Sequence, residues 1–245
     1  MKTSLLIIAH NEENHIAQCI RSVLRQTTQP DEIVVICHNC TDATTSISRS
    51  FGTVKTVEYS GPEGVPYARI RGFEEVTGDI VACLDGDSIA SPVWFNNIIK
   101  PLIKNKDVTL VAGYVILTNN LFARLASFWQ FVFLRKLLRR KQNSFAWGSN
   151  FACRKNDYNK VGGIRPLIGL KENLKLNFWA EDFYISLVLM QIGNIVFKLN
   201  AKTYTQIPDW KINLKTAPLK EWQEDNRALL RYFAKKGKFL FYSEP

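Results

Sequence analysis

The chain has 245 residues, of which 46% are hydrophobic and 22% charged. This is the balance of a globular protein with a sizeable core, in one large domain or two small ones, with no repeats or low-complexity linker. The formal net charge of +10 points to anionic partners, either phosphorylated substrates or an anionic membrane surface. No RNP, zinc-finger or helix-turn-helix pattern accompanies the basic runs at 135–141 and 235–238, so nucleic acid is not expected.

Residues 5–9 (LLIIA) read as a short buried strand, too short for a signal-peptide core and leading straight into charged residues. Ile16, Cys19, Ile20, Val23 and Leu24 then recur at helical spacing, with Asn11 or Asn14 as the expected cap. Residues 32–36 (EIVVI) form a second, β-branched strand. A short helix over 41–51 and a third strand over 54–59 follow. Residues 68–76 read as a helix closed by Gly78, and 80–84 as the fourth strand. Ser91-Pro92 supply the N-cap and first position of a helix reaching Ile103. The second half is less regular: a strand over 108–117, then an aromatic and basic stretch over 121–140. A polar loop over 145–155 runs into a short strand. An amphipathic helix over 179–192 and a last strand over 194–199 complete the reading.

Strand and helix in this alternation predict an α/β protein with a parallel sheet. Ligands bind beyond the carboxyl ends of such strands. The tails of the first, second and fourth strands are HNEE, CHNCTD and DGD, all polar and all on one edge. Asp and Gly are common in turns. Yet Asp85 and Asp87, one residue apart, repel each other unless a cation lies between them, and their oxygens suit Mg²⁺ or Mn²⁺.

Five cysteines at uneven spacing argue for a reducing compartment. Cys37 and Cys40 form a C-x-x-C that fits a redox pair, or a zinc site with His10 and His15. Neither use explains Asp85, Asp87 and Asp182, and packing is the plainer role. Residues 121–140 have an uncharged centre of about ten residues, short of the roughly 20 that span a bilayer. Flanked by Arg124, Arg135, Arg139 and Arg140, they fit either an interface helix or a helix packed on the sheet.

The pieces LIIAHNEE, EIVVICHNCTDATT, ARIRGFEEVTGDIVACLDGD, GSNFACRKNDYNKVGGIRP and AEDFYISLVLMQIG, in this order, resemble the family-2 glycosyltransferases of GT-A fold. The resemblance covers residues 4 to 200. It implies a Rossmann-like, mostly parallel sheet flanked by helices, with a mixed C-terminal region. Residues 1–118 would bind the nucleotide-sugar and 119–245 the acceptor, within one continuous domain. It implies inverting transfer of a sugar from a nucleotide-sugar, a UDP-sugar being favoured, to a glycan or lipid-linked acceptor. Asp87 would bind Mn²⁺ or Mg²⁺, with Asp85 beside it on metal or ribose. Asp182 would be the catalytic base and Glu181 its neighbour. His10, Glu12, Cys37 and Arg69 would line the donor site, Arg69 near the diphosphate. Trp147, Gly148, Ser149 and Asn150 would lie on the acceptor side, and Trp147, Trp179 and Trp210 suit sugar stacking or core.

The chain departs from the family pattern at Ile8 (usually Pro), Cys37 (often an Asp that contacts the base) and Ile70 (often Asn). Gln223 and Arg227 are one residue too far apart for the Gln-x-x-Arg-Trp motif of processive synthases, so a single transfer is expected. The expected location is cytoplasmic, with peripheral contact at the membrane face if 121–140 is an interface helix. The alternative is a non-catalytic basic binding protein on a degenerate transferase fold.

Overall fold

The structure is a computed structural model and describes residues 1–118, 149–205 and 218–235. The strands are β1 (Thr3–Ala9), β2 (Glu32–His38), β3 (Lys55–Tyr59), β4 (Ile80–Asp85), β5 (Ile89–Ala90), β6 (Val108–Leu117), β7 (Phe151–Arg154) and β8 (Asn194–Thr205). The helices are α1 (Ile16–Leu24), α2 (Thr44–Arg49), α3 (Val65–Glu75), α4 (Trp94–Lys104), α5 (Lys155–Lys160), α6 (Arg165–Asn173), α7 (Glu181–Leu189) and α8 (Pro218–Lys235).

Among the described residues the strands form one sheet, ordered β3-β2-β1-β4-β7-β6-β8-β5. β3, β2, β1 and β4 are mutually parallel, as the alternation predicts. Both faces of this half are covered, which is why its strands read as continuous apolar runs. Leu6, Ile8, Val34, Ile36, Val81 and Cys83 face the layer of α3 and α7. Their alternates Leu5, Ile7, Val35, Cys37, Ala82 and Leu84 face α1 and α4. Each fully buried Leu or Ile here contributes roughly 1.5–3 kcal/mol.

Beyond β4 the order changes. β7 runs antiparallel to both β4 and β6, while β6 and β8 are parallel to each other. The Cys83↔Phe151 and Ala112↔Phe151 pairings put the start of β7 at the same edge as the end of β4. β6 continues past that level to Leu117, which pairs with Thr205.

Three expected helix signals have other uses. Asn11 does not cap α1, whose N-cap is His15 with no side-chain bond. Asn11 instead adopts a left-handed backbone (φ 54°), and its Oδ1 accepts the Thr41 N–H at 2.8 Å. Gly78 does not close α3, which ends at Glu75 with Val76 extended. It is there because a Cβ would lie 2.3 Å from Ser4 Oγ and 2.7 Å from Ser4 N. Ser91 does not cap α4, which begins at Trp94 after Val93; only its carbonyl helps, accepting from Trp94 N–H at 2.9 Å. The strand expected over 194–199 is longer, reaching Thr205. The stretch 121–140, with Trp147, Gly148 and Trp210, lies outside the described residues.

Candidate active site

In the order 2-1-4, the chain reverses direction of travel across the sheet between β1 and β4, and a crevice forms beyond the strand ends. Ile8 pairs with Asp85 and Ala9 with Cys37, so the three polar tails leave the sheet at one level. Gly86 donates its N–H to the Ile8 carbonyl at 2.8 Å. A Cβ at this position would lie 2.9 Å from Ala9 Cβ and 3.3 Å from Glu12 Cγ. The glycine between the two aspartates therefore lets β4 turn tightly against β1.

Asp85 ends β4 with its side chain 38% exposed. Asp87 is half-buried, and its carboxylate accepts from Ser88 Oγ at 3.3 Å and from Thr205 at the end of β8. Burial, then the nearby charge of Glu12, raise the Asp87 pKa above its ordinary value. Glu12 is itself raised, chiefly by burial, although it accepts a bond from His15 Nδ1 at 2.9 Å. Glu12 and Asp87 thus hold protons more tightly than they would in water, with Asp85 at the same corner, a condition a divalent cation relieves. Among the described residues no group of three or more His, Cys, Asp or Glu side chains is arranged to hold a metal ion. Mg²⁺ and Mn²⁺ do not need one, since one or two carboxylates together with substrate phosphates suffice. The residues present fit such an ion.

His10 is exposed and donates from Nδ1 to the His38 carbonyl at 2.8 Å. Cys37 is different from the expectation. It lies on the α1/α4 side of β2, fully buried, with its thiol 3.9 Å from Ser48 Oγ, so it cannot face a nucleotide base. Cys40 donates to the Ala9 carbonyl at 3.6 Å. Burial raises both thiols, the opposite of what a redox pair or a zinc site requires.

Arg69 lies beneath the crevice and not in it, 1% exposed. Its Nη2 is 3.5 Å from Asp85 Oδ1 and 3.7 Å from Glu181 Oε1. Burial works against that charge, and the carboxylates of Asp85 and Glu181 outweigh it. Glu181 and Asp182 open α7, where the helix dipole favours acids. The Glu181 side chain is 14% exposed, and burial together with Asp182 raises its pKa to about 7. Asp182 is half-buried, and its Oδ1 accepts the Phe183 N–H at 2.7 Å. Ala180, just before them, is left-handed at φ 43°. Trp179 packs on Gly64, edge-on to Tyr67 at 5.5 Å, with Lys171 Nζ 4.9 Å from its ring.

Ser149 and Asn150 are buried. Asn150 Oδ1 accepts from Trp94 Nε1 at 2.8 Å, and Nδ2 lies within 3.2 Å of Tyr114 O, Ala201 O and Thr203 Oγ1. The Asn150 amide braces β6, β8 and α4 and does not face an acceptor.

Residues 4–162 match the sequence profile of glycosyl transferase family 2. The chain belongs to that family. A glucosyl-dolichyl phosphate glucuronosyltransferase of Haloferax volcanii is 27% identical over 184 residues, covering 70% of this chain and 58% of that protein. YdaM of Bacillus subtilis, a probable glycosyltransferase, is 26% identical over 229 residues, covering 86% of this chain and 52% of its own. The chain spans about half the length of these curated relatives. Glucosyl-3-phosphoglycerate synthase from Mycobacterium tuberculosis, solved with Mn²⁺, UDP and phosphoglyceric acid, superposes with a TM-score of 0.62 at 17% identity, covering 96% of this chain and 78% of that one. GalNAc-T7 with UDP, GalNAc and Mn²⁺ gives 0.63 at 17% identity, over 84% and 44%. The fold is GT-A, as the resemblance implies.

In this family 2 chain the edge also recruits residues that the sequence did not single out. Thr205 bonds Asp87 from the far side of the sheet, and the Phe151 ring lies 5.3 Å from the Arg69 guanidinium. Neither carries a local signal. Each is brought in by strand pairing across more than sixty positions of chain.

Proposed function

We propose that the protein transfers a sugar from a nucleotide-sugar to an acceptor hydroxyl, with inversion and in a single step. The observation that carries this reading is the arrangement around Arg69: Asp85, of the Asp85–Asp87 pair, on one side, and Glu181, next to Asp182, on the other. A carboxylate corner for a cation and diphosphate thus faces a separate carboxylate pair able to take a proton. UDP is the favoured nucleotide, since the solved neighbours named above hold UDP. The acceptor is a glycan or a lipid-linked saccharide, the latter supported by the name of the archaeal relative. Residues 1–118 serve the donor and 119–245 the acceptor.

Asp87, with Asp85, would hold Mn²⁺ or Mg²⁺, which when bound stabilises charge on the diphosphate leaving group. His10 and Glu12 border the nucleotide. Asp182 takes the proton of the acceptor hydroxyl as that oxygen attacks, while Glu181 beside it is the one paired with Arg69. Five free thiols suit a reducing, cytoplasmic location, and a lipid-linked acceptor would bring the protein to the membrane face. Among the described residues no helix is long and apolar enough to cross a membrane.

The test is Asp182→Asn, followed by single-turnover transfer and by Mn²⁺–UDP titration. Turnover should fall by about 10²–10⁴ while nucleotide affinity holds. Near wild-type turnover would move the base to Glu181. Equal loss of binding and turnover would make Asp182 a donor or structural residue. Metal-dependent nucleotide binding with no transfer from any donor would favour the non-catalytic alternative.

A further inference from the structure

A guanidinium that is 1% exposed needs a reason to be there, because burying a charge is costly unless it is paired. Arg69 reaches the β4 carboxylate Asp85 at 3.5 Å and the α7 carboxylate Glu181 at 3.7 Å, under the ring of Phe151. The donor corner and the acceptor-side helix are otherwise separate segments of chain. Almost none of the arginine faces the crevice where a diphosphate would lie.

The second observation is at the start of α7. Ala180 is left-handed, with φ 43° and ψ 37°. A residue with a side chain is strained there and persists only when its surroundings hold it. Glu181 is the next residue, and the Arg69 ion pair fixes it from the sheet side. Asp182 follows on the same turn.

We infer that Arg69 is a positioning residue: it ties the Asp85 end of β4 to the first turn of α7 and so fixes where Asp182 points relative to the donor. This rests on reading the edge as a transferase site and names what aligns its two halves. The charges facing Glu181 are Asp182 on its own helix, Arg69 from α3 and Asp85 from β4. Of these, Arg69 favours the ionised carboxylate and the two aspartates oppose it. Without the guanidinium, Glu181 takes a proton at higher pH, the first turn loosens and Asp182 drifts.

The experiment uses the full chain with Arg69→Met and Arg69→Lys. It combines Mn²⁺–UDP titration, transfer kinetics and carboxyl-carbon NMR, in which Glu181→Gln identifies the Glu181 resonance. In Arg69→Met the Glu181 midpoint should rise by about one pH unit. The transfer rate should fall about a hundredfold, the size expected for misplaced groups, with Mn²⁺–UDP affinity undiminished. Arg69→Lys should recover the midpoint and part of the rate. Lost Mn²⁺–UDP affinity with an unmoved Glu181 midpoint would make Arg69 a donor ligand and overturn the proposal. If Arg69→Met does not fold, Arg69→Lys decides. A single ammonium cannot span both carboxylates, so an unreduced rate refutes the link and a reduced rate with normal UDP affinity supports it. If the wild type transfers no sugar, the transferase reading fails, and the Glu181 titration alone still decides whether Arg69 makes this link.

Discussion

Asn150→Ala should act on stability and not on acceptor binding. The side chain is fully buried, and four groups depend on it: Trp94 Nε1–H, the carbonyls of Tyr114 and Ala201, and Thr203 Oγ1. A buried polar group left without its partner costs about 1–3 kcal/mol. The four penalties do not simply add, because the space vacated by an amide among polar groups can take a water. A total of about 3 kcal/mol is therefore expected, close to the upper range for one substitution. For a chain of this size that lowers Tm by roughly 6–12 °C. Thermal and urea denaturation of the two proteins measure it directly. A Tm within about 2 °C of wild type, with a raised acceptor KM, would refute the bracing role and return Asn150 to the acceptor side.

Gly86→Ala should weaken Mn²⁺–UDP binding at least tenfold, roughly 1.4 kcal/mol. The added methyl would sit 2.9 Å from Ala9 Cβ and force the Asp85–Asp87 turn away from β1; calorimetric titration with unchanged affinity would dismiss that argument. Glu181→Gln should change how stability depends on pH. A carboxyl whose pKa is raised to about 7 from the ordinary 4.5 favours the folded state while protonated. That advantage is complete below about 4.5 and is lost as pH rises through 7. The amide never ionises, so at pH 8 the variant should be more stable than wild type by on the order of 2 kcal/mol, the gap closing by pH 4.5. Denaturant midpoints across pH 4–8 that run parallel for the two proteins would show that folding does not raise the Glu181 pKa.

The parallel half of the fold was legible because its signals are local. Runs such as LLIIA and EIVVI are apolar at every position only when both sheet faces are covered, and their polar tails mark the edge. Helix ends were less legible. Asn11, Gly78 and Ser91 are the right residue types for caps, but Asn11 and Gly78 are claimed by contacts with segments thirty or more positions away, and α4 begins beyond Ser91's reach. Strand parity could have removed Cys37 from the donor list, since it shares a face with Ile33 and Val35. Asn150 needed the tertiary structure: nothing near it in sequence announces Trp94, Tyr114, Ala201 and Thr203. The sequence placed Arg69 at the donor edge near the diphosphate; its contacts with Asp85 and Glu181 are visible only once the chain is folded.

The reversed strand β7 has a consequence for the length of chain that joins it to β6. Because it runs against β4 and β6, β6 ends at Leu117 and β7 begins at Phe151 on the same edge, near Asp85. Both anchor points are set by ladder pairing that does not depend on how much chain joins them. Closing a longer excursion costs only about 0.6 kcal/mol per doubling of its length. A change in the length of chain between these two points would therefore be expected to leave the strand register and the Asp85–Arg69–Glu181 alignment in place, measurable as unchanged Mn²⁺–UDP affinity in a variant lengthened there.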